Sequence, residues 1–317
     1  MNYRKFGDTD LEVSEICFGP MRFAEKEPGS DPRSNTGQRA LERALERGVN
    51  FIHSSYEYGT RWSLGSVLKE HPKRDELHHI IKVPVPDFDD DGRFDAAKFR
   101  LRIEEALADL HTDRIAVVQH LQRYKPNTDE ARIADIAAVH EQLGETFARL
   151  REEGKVGYLT TFPYTPGFAE PALATGDFSG MVAYYNIIEM EMAEFFPAME
   201  TRNQGFFCIR PFMAGLLTDQ RADRSRLVAG DRLADASNDA AYARLALLES
   251  SLELHVESWT AFAVKFALIH PLVTSLIVGL NTPEQVDQVI DAADGQYPDR
   301  DLWNKALDLF RQHGMVT

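Results

Sequence analysis

Val49-Asn50-Phe51-Ile52-His53-Ser54-Ser55-Tyr56-Glu57-Tyr58-Gly59 changes character once, between Ile52 and His53. The first four residues suit a short buried strand, and each of the next seven is polar, aromatic or Gly. In a soluble α/β protein this switch marks the carboxyl end of a parallel strand opening into a loop, where barrels and doubly wound sheets carry their chemistry. The stretch therefore predicts a strand over 49–52 and a candidate active-site loop from His53 to Gly59.

The same unit recurs on both sides of it. Apolar, β-branched runs at 16–18, 49–52, 80–83, 115–119, 156–159, 181–184, 206–209 and 275–278 alternate with segments of helical periodicity. Those helical segments fall at 37–47, 61–70, 96–110, 133–153, 167–175, 192–202, 240–254 with 257–269, and 282–292, and a last helix is expected at 300–312. Eight strand–helix units with no break in composition predict one closed (β/α)8 TIM barrel over residues 1–317. A doubly wound sheet would leave the eighth unit without a place. Ahead of the first unit, Tyr3-Arg4-Lys5-Phe6 and Leu11-Glu12-Val13 flank a Gly/Asp turn and read as a β-hairpin capping the barrel. The long loops are expected after the first, third and seventh strands: a Gly/Ser/Pro/Asn-rich one over 25–36 follows the first, and 218–238 follows the seventh.

Composition narrows the function. The 317 residues are 44% hydrophobic and 27% charged, ordinary for a globular protein with a sizeable core. Fifty acidic against thirty-five basic residues give a net charge of −15, which repels nucleic acid and anionic membranes. Cys17 and Cys208 sit in separate apolar runs with no metal-ligand spacing, so they read as buried thiols and no metal site is expected. With no apolar leader and no run of membrane-spanning length, the expected location is the cytoplasm.

Chemistry-bearing residues stand at the ends of successive predicted strands: His53 with Tyr58 just beyond it, then Lys82, then His120. A barrel brings strand ends to one mouth. A phenol with its ordinary pKa near 10 is a poor proton donor at neutral pH, and a neighbouring ammonium lowers that pKa. With His120 as a hydrogen-bond donor to a substrate oxygen, the group would protonate or deprotonate a carbonyl or alcohol oxygen.

The chain resembles the aldo-keto reductase superfamily over nearly its whole length. The resemblance rests on several motifs in register: the opening hairpin, Asn50-Phe51-Ile52 with Tyr58-Gly59, Ile80-Ile81-Lys82-Val83, Gln119-His120, Glu153-Gly154-Lys155-Val156, Tyr185-Asn186, Gly215-Leu216-Leu217, His270-Pro271, and Gly279 with Thr282-Pro283-Glu284-Gln285. It implies a barrel that binds NADPH or NADH and passes hydride to a carbonyl carbon, with Tyr58 as the acid, Lys82 lowering its pKa and His120 orienting the substrate. Cofactor contacts would fall on Gly19, Phe162, Asn186, Arg210, Gly279, Asn281 and Gln285.

Several positions depart from the family pattern. His53 stands where an aspartate pairs with the lysine, and Glu57 or another acid would have to substitute. Phe162-Pro163 replaces a Ser-Asn that grips the nicotinamide, Val182 replaces a Gln, and Arg210-Pro211-Phe212 replaces Ser-Pro-Leu. Around Leu280-Asn281-Thr282-Pro283 no basic residue meets a 2′-phosphate, and Val289 replaces an adenosine-binding Asn. Three functions therefore stay open: an NAD(P)H-dependent carbonyl reductase, a non-redox lyase or isomerase using the same acid–base groups without nicotinamide, and a binding or subunit protein. Tyr56, Trp62, Phe88, Tyr124, Phe162, Tyr164 and Phe212 suggest a small carbonyl or hydroxy substrate of aromatic or apolar character.

Overall fold

The chain begins with an antiparallel hairpin, β1 (Tyr3–Lys5) and β2 (Glu12–Ser14), in the computed structural model, which describes residues 1–24 and 33–316. Among the described residues eight parallel strands follow: β3 (Ile16–Gly19), β4 (Phe51–Ser55), β5 (His78–Pro84), β6 (Ile115–Leu121), β7 (Val156–Thr161), β8 (Gly180–Tyr184), β9 (Gly205–Ile209) and β10 (Val273–Gly279). They pair in that order, and β10 returns to β3, closing a (β/α)8 barrel. Helices α1 (Arg33–Glu46), α2 (Arg61–Leu68), α3 (Ala96–Leu110), α4 (Asp129–Ala134), α5 (Ile136–Glu152), α6 (Pro166–Ala174), α7 (Phe196–Thr201), α8 (Asp239–Ser251), α9 (Trp259–Ala267) and α10 (Pro283–Ala292) surround it, and α11 (Arg300–Gln312) ends the chain. None of the described helices is long and apolar enough to cross a membrane.

The expected strands are all present, with shifts that have physical causes. β4 starts two residues later than the expected 49–52 and ends three later, so His53, Ser54 and Ser55 are buried strand residues and not loop. Polarity there does not signal solvent, because the His53 Nε2 meets the Gln119 Oε1 at 3.0 Å across the barrel interior. The helix expected at 133–153 is two helices that meet at Asp135, whose φ of −107° and ψ of 5° break the α ladder. α1 starts at Arg33, before the expected 37, while 25–32 of the expected loop lies outside the described residues.

Apolar residues form two layers. The larger lies between strands and helices, from Ile16 and Phe18 round to Ile290 and Phe310. The smaller fills the barrel interior: Cys17, Phe51, Ile80, Val117, Val182 and Phe207, with Phe6, Leu11 and Val13 of the hairpin beneath them. Phe6 is fully buried and stacks on Phe207 with ring centroids 4.3 Å apart. Burial of such a ring contributes about 1.5–3 kcal/mol. The slot exists because Gly180 and Gly205 are register partners on neighbouring strands, and a Cβ on Gly205 would lie 2.3 Å from the Phe6 ring. The hairpin thus seals the amino end and leaves the carboxyl end as the mouth.

Candidate active site at the carboxyl end of the barrel

Register decides which side chains reach the mouth. His53, Ile80 and Val117 share one row, and Ile80 and Val117 belong to the interior layer. Two residues on, Ser55, Lys82 and Gln119 share the next inward row. The rows between face outward: Ile81 with Val118, and Val83 with His120, of which Ile81, Val118 and Val83 lie in the outer layer.

Beyond β4 the chain makes one 3-10 turn, Tyr56–Tyr58. Ser55 caps it, its Oγ accepting the Glu57 N–H at 3.3 Å, and Gly59 ends it in the left-handed region at φ 65°. The turn delivers Glu57 to Lys82, with 2.7 Å between Oε2 and Nζ. Glu57 is thus a carboxylate that pairs with Lys82. Arg123, just past β6, also grips Glu57: its Nη1 donates to Oε1 at 2.6 Å and its Nη2 to Oε2 at 3.2 Å. Arg123 further donates from Nη1 to Asp87 Oδ1 (3.2 Å) and from Nε to the Tyr164 hydroxyl (2.7 Å). Tyr56 donates its hydroxyl proton to Asp87 Oδ2 at 3.0 Å.

Tyr58 stands over this network. Its ring centre is 5.9 Å from the Lys82 Nζ and 5.8 Å from the centre of the His53 ring. Among the described residues no hydrogen bond reaches its hydroxyl, which leaves the proton free for a bound molecule.

Electrostatics fix the protonation states. Burial alone would raise the Glu57 carboxyl, but hydrogen bonds from Arg123 and Lys82 override it and hold the pKa down to about 2. On the lysine side burial prevails: the Lys82 ammonium is pulled below its ordinary value despite Glu57. The pair is therefore anchored by the carboxylate. His53 is pushed down to about 4 by burial, partly offset by Gln119, and is neutral at pH 7. Burial first, and then the Glu57 charge, raise the Tyr58 phenol above its ordinary value. The phenol is thus raised overall and not lowered: the Arg123 charge opposes the rise, and burial outweighs it.

His120 does not join the group. It sits in the outward row, where its Nε2 meets the Val85 carbonyl oxygen at 2.8 Å and its ring lies 6.1 Å from His140 of α5 and 6.3 Å from Phe178. The polar lumen-facing neighbours are Gln119 before it and Arg123 after it.

The expected cofactor positions form two groups at the same end. Gly19 and Gly279 are register partners where β3 meets β10, and a Cβ on Gly19 would lie 2.7 Å from the Val278 oxygen. Gly279 is exposed with open space above it. The Asn281 N–H donates to the Gln285 Oε1 at 2.9 Å, and among the described residues the buried Asn281 Oδ1 has no hydrogen-bond partner. In the second group Phe162 is buried, edge-on to Tyr164 (4.5 Å) and Tyr184 (5.3 Å). Arg210, in the left-handed region at φ 62°, covers the Tyr184 ring at 4.6 Å and pairs with Glu189 at 3.4 Å. Asn186 is engaged internally: its Nδ2 donates to Glu189 (2.6 Å) and to the Arg210 carbonyl (2.9 Å), while its Oδ1 accepts from the N–H groups of Ile188 and Glu189.

Arg123 and Asp87 are absent from the sequence-based site, and Tyr164 entered it only as an aromatic of the mouth. The available signal was parity: Arg123 lies four residues beyond Gln119 and two beyond the strand end, on the side that faces the lumen.

Comparison with known proteins follows this geometry. The model of the aldo/keto reductase family matches residues 15–304. The uncharacterized oxidoreductase YrpG of Bacillus subtilis (strain 168) is 27% identical, with 100% of this chain and 98% of that protein covered. L-galactose dehydrogenase of Arabidopsis thaliana is 23% identical over 91% of this chain and 87% of its own length. Among solved structures, the holo form of aldo-keto reductase AKR11C1 from Bacillus halodurans superposes with a TM-score of 0.73 at 21% identity, covering 98% of this chain and 96% of that one. The glycerol dehydrogenase AKR11B4 from Gluconobacter oxydans gives 0.73 at 21% identity, covering 99% and 97%.

Proposed function

The chain belongs to the aldo/keto reductase family, and from that premise we propose that it is an oxidoreductase that reduces a small carbonyl compound to its alcohol, or the reverse, with Tyr58 as general acid. The observation that carries the reading is a protonated phenol with an unengaged hydroxyl beside the Lys82–Glu57 ion pair, at the mouth of the barrel. As negative charge develops on a carbonyl oxygen, Tyr58 hands over its proton. The Lys82 ammonium lies beside the phenol and favours the phenolate left behind. Neutral His53, tied to Gln119, walls the site from below.

NADPH or NADH would supply the hydride. The orphaned Asn281 Oδ1 and the open space over Gly279 fit a polar ligand at the β3–β10 end, with Gly19 and Gln285 beside them. Arg210 fits a phosphate, and Phe162 with Tyr184 offers aromatic surface. The family's fold and its relatives' names support this assignment. The full engagement of Asn186, and the lack of any side-chain donor on Phe162, support a second reading, a non-redox lyase or isomerase using the same acid–base groups.

Fluorescence titration with NADPH and NADH separates the two. Binding of either supports the reductase, and no binding of either at about millimolar concentration, the weak limit for a usable cofactor, removes it. Tyr58→Phe should then lower turnover by at least about 10²-fold. Conversion of a hydroxy substrate without nucleotide would establish the lyase instead.

A further inference from the structure

The guanidinium of Arg123 is the most heavily engaged cation at the mouth, and no role has been given to it. Its side chain is 7% exposed and donates four hydrogen bonds to three acceptor groups from three different loops: Glu57 after β4, Asp87 after β5 and Tyr164 after β7. Its Cζ also lies 5.2 Å from the centre of the Phe88 ring. A planar fork held at this many points has one orientation. Glu57, in contrast, sits on a three-residue turn, and among the described residues its carboxylate is tied only by Lys82, the Ser55 hydroxyl at 3.3 Å and Arg123. Two of those partners are flexible or weak. The rigid one is Arg123.

We propose that Arg123 is a positioning residue: it fixes the Glu57 carboxylate against the Lys82 ammonium, and through that pair it sets the placement of charge beside Tyr58. Glu57 and Arg123 together hold Lys82 in place where the family pattern has an aspartate and this chain has His53. Asp87 and the Tyr164 hydroxyl serve as anchors for the fork, and Asp87 is itself held by Tyr56. The charged and titratable groups that face Glu57 are Lys82 from β5, Asp87 and Arg123 from the following loops, Tyr56 and Tyr58 from its own turn, and Tyr164 from the loop after β7. The kinetic consequence rests on the reductase reading, whereas the titration of Glu57 does not.

The test uses full-length Arg123→Gln and Arg123→Lys. With 4-nitrobenzaldehyde as the probe and NADPH or NADH, Arg123→Gln should lower kcat by about 10²-fold, the scale of a misplaced catalytic group, with KM within about threefold. Arg123→Lys keeps the charge without the fork and should recover only part of that loss. Two hydrogen bonds that keep Glu57 ionised are gone in the Gln variant, so the acid limb of the kcat–pH profile should move up by about one pH unit or more. Carbon-13 NMR of glutamate side-chain carboxyls, with Glu57→Gln to assign the signal, should show the same upward move in the Glu57 titration. A lowered Tm with kcat, pH profile and Glu57 titration all unmoved would mean Arg123 is only structural, and would overturn the proposal. If Arg123→Gln does not fold, Arg123→Lys decides by the same readouts. A wild-type protein inactive on the probe with either nucleotide leaves the NMR titration to decide, and a Glu57 signal that stays put in the variant then overturns the proposal.

Discussion

Replacing Glu57 with Gln removes the one anion shared by two cations at the mouth, and the structure sets the size of the effect. Glu57 accepts from Lys82 at 2.7 Å and from Arg123 at 2.6 and 3.2 Å, and its side chain is 27% exposed. Its carboxyl is held down to about 2 from an ordinary 4.5. At 1.36 kcal/mol per unit that gap corresponds to about 3 kcal/mol, which partial solvent screening reduces to about 2–3 kcal/mol. The sign follows from linkage. A carboxyl depressed in the folded state stabilises the fold fully above its unfolded value of 4.5, and that stabilisation is lost as pH falls through 4.5 toward 2. Urea unfolding of Glu57→Gln and wild type, followed by circular dichroism at pH 7, 5, 4 and 3, should therefore give a constant deficit down to about pH 5 and a shrinking one below it. At pH 7 the deficit should lower Tm by roughly 5 °C for a chain of this length. A deficit under about 0.5 kcal/mol at pH 7, the range of an ordinary surface substitution, would refute the reasoning, as would one that does not change between pH 7 and pH 3.

Two further expectations follow from the same geometry. His120→Leu should leave turnover within about twofold while costing about 1–3 kcal/mol of stability, since it strips the Val85 carbonyl of its buried partner without touching the mouth; a turnover loss equal to that of Tyr58→Phe would place His120 back in the chemistry. Acid should weaken the fold well above the carboxylate range: His53, His79, His140 and His270 are lowered to about 4 and His120 to about 3, chiefly by burial, so the unfolded chain takes up protons that the folded one refuses. Stability is then full above pH 6.5 and falls from there toward pH 4, and a flat unfolding free energy across that interval would contradict it.

The barrel was legible because its signal is repetitive: eight apolar runs spaced by helical segments survive an error of two residues at any one boundary. The site was legible where local grammar is strict. Tyr58-Gly59 needs a turn with a left-handed end, and Lys82 stands in a strand whose place was plain. It was illegible where facing had to be inferred. All seven residues of β6 are buried, as in a parallel strand covered on both faces, so no alternation of polarity tells that Gln119 looks inward and His120 outward. The same cause hid the strand character of His53-Ser54-Ser55, which are buried, with the His53 ring bonded to Gln119 inside the barrel. Arg123 was missed for a different reason: its partners lie 36 to 66 residues away in three loops, and no local pattern records that convergence.

The seal at the amino end has a practical consequence for anyone altering this protein. Phe6, the Gly180–Gly205 slot and the interior layer above it come from the hairpin and the strands, and none of them from a loop of the mouth. Loop libraries built over 85–95, 122–128 or 210–238 can therefore change what enters the well while the plug that keeps it dry at the far end stays seated. Fusion partners call for the opposite care. Asn2 donates to the Ala293 carbonyl at 3.3 Å and accepts from the Glu15 N–H, so a tag at the first residue pulls directly on the stopper, and a trim past Lys5 removes the strand that carries it.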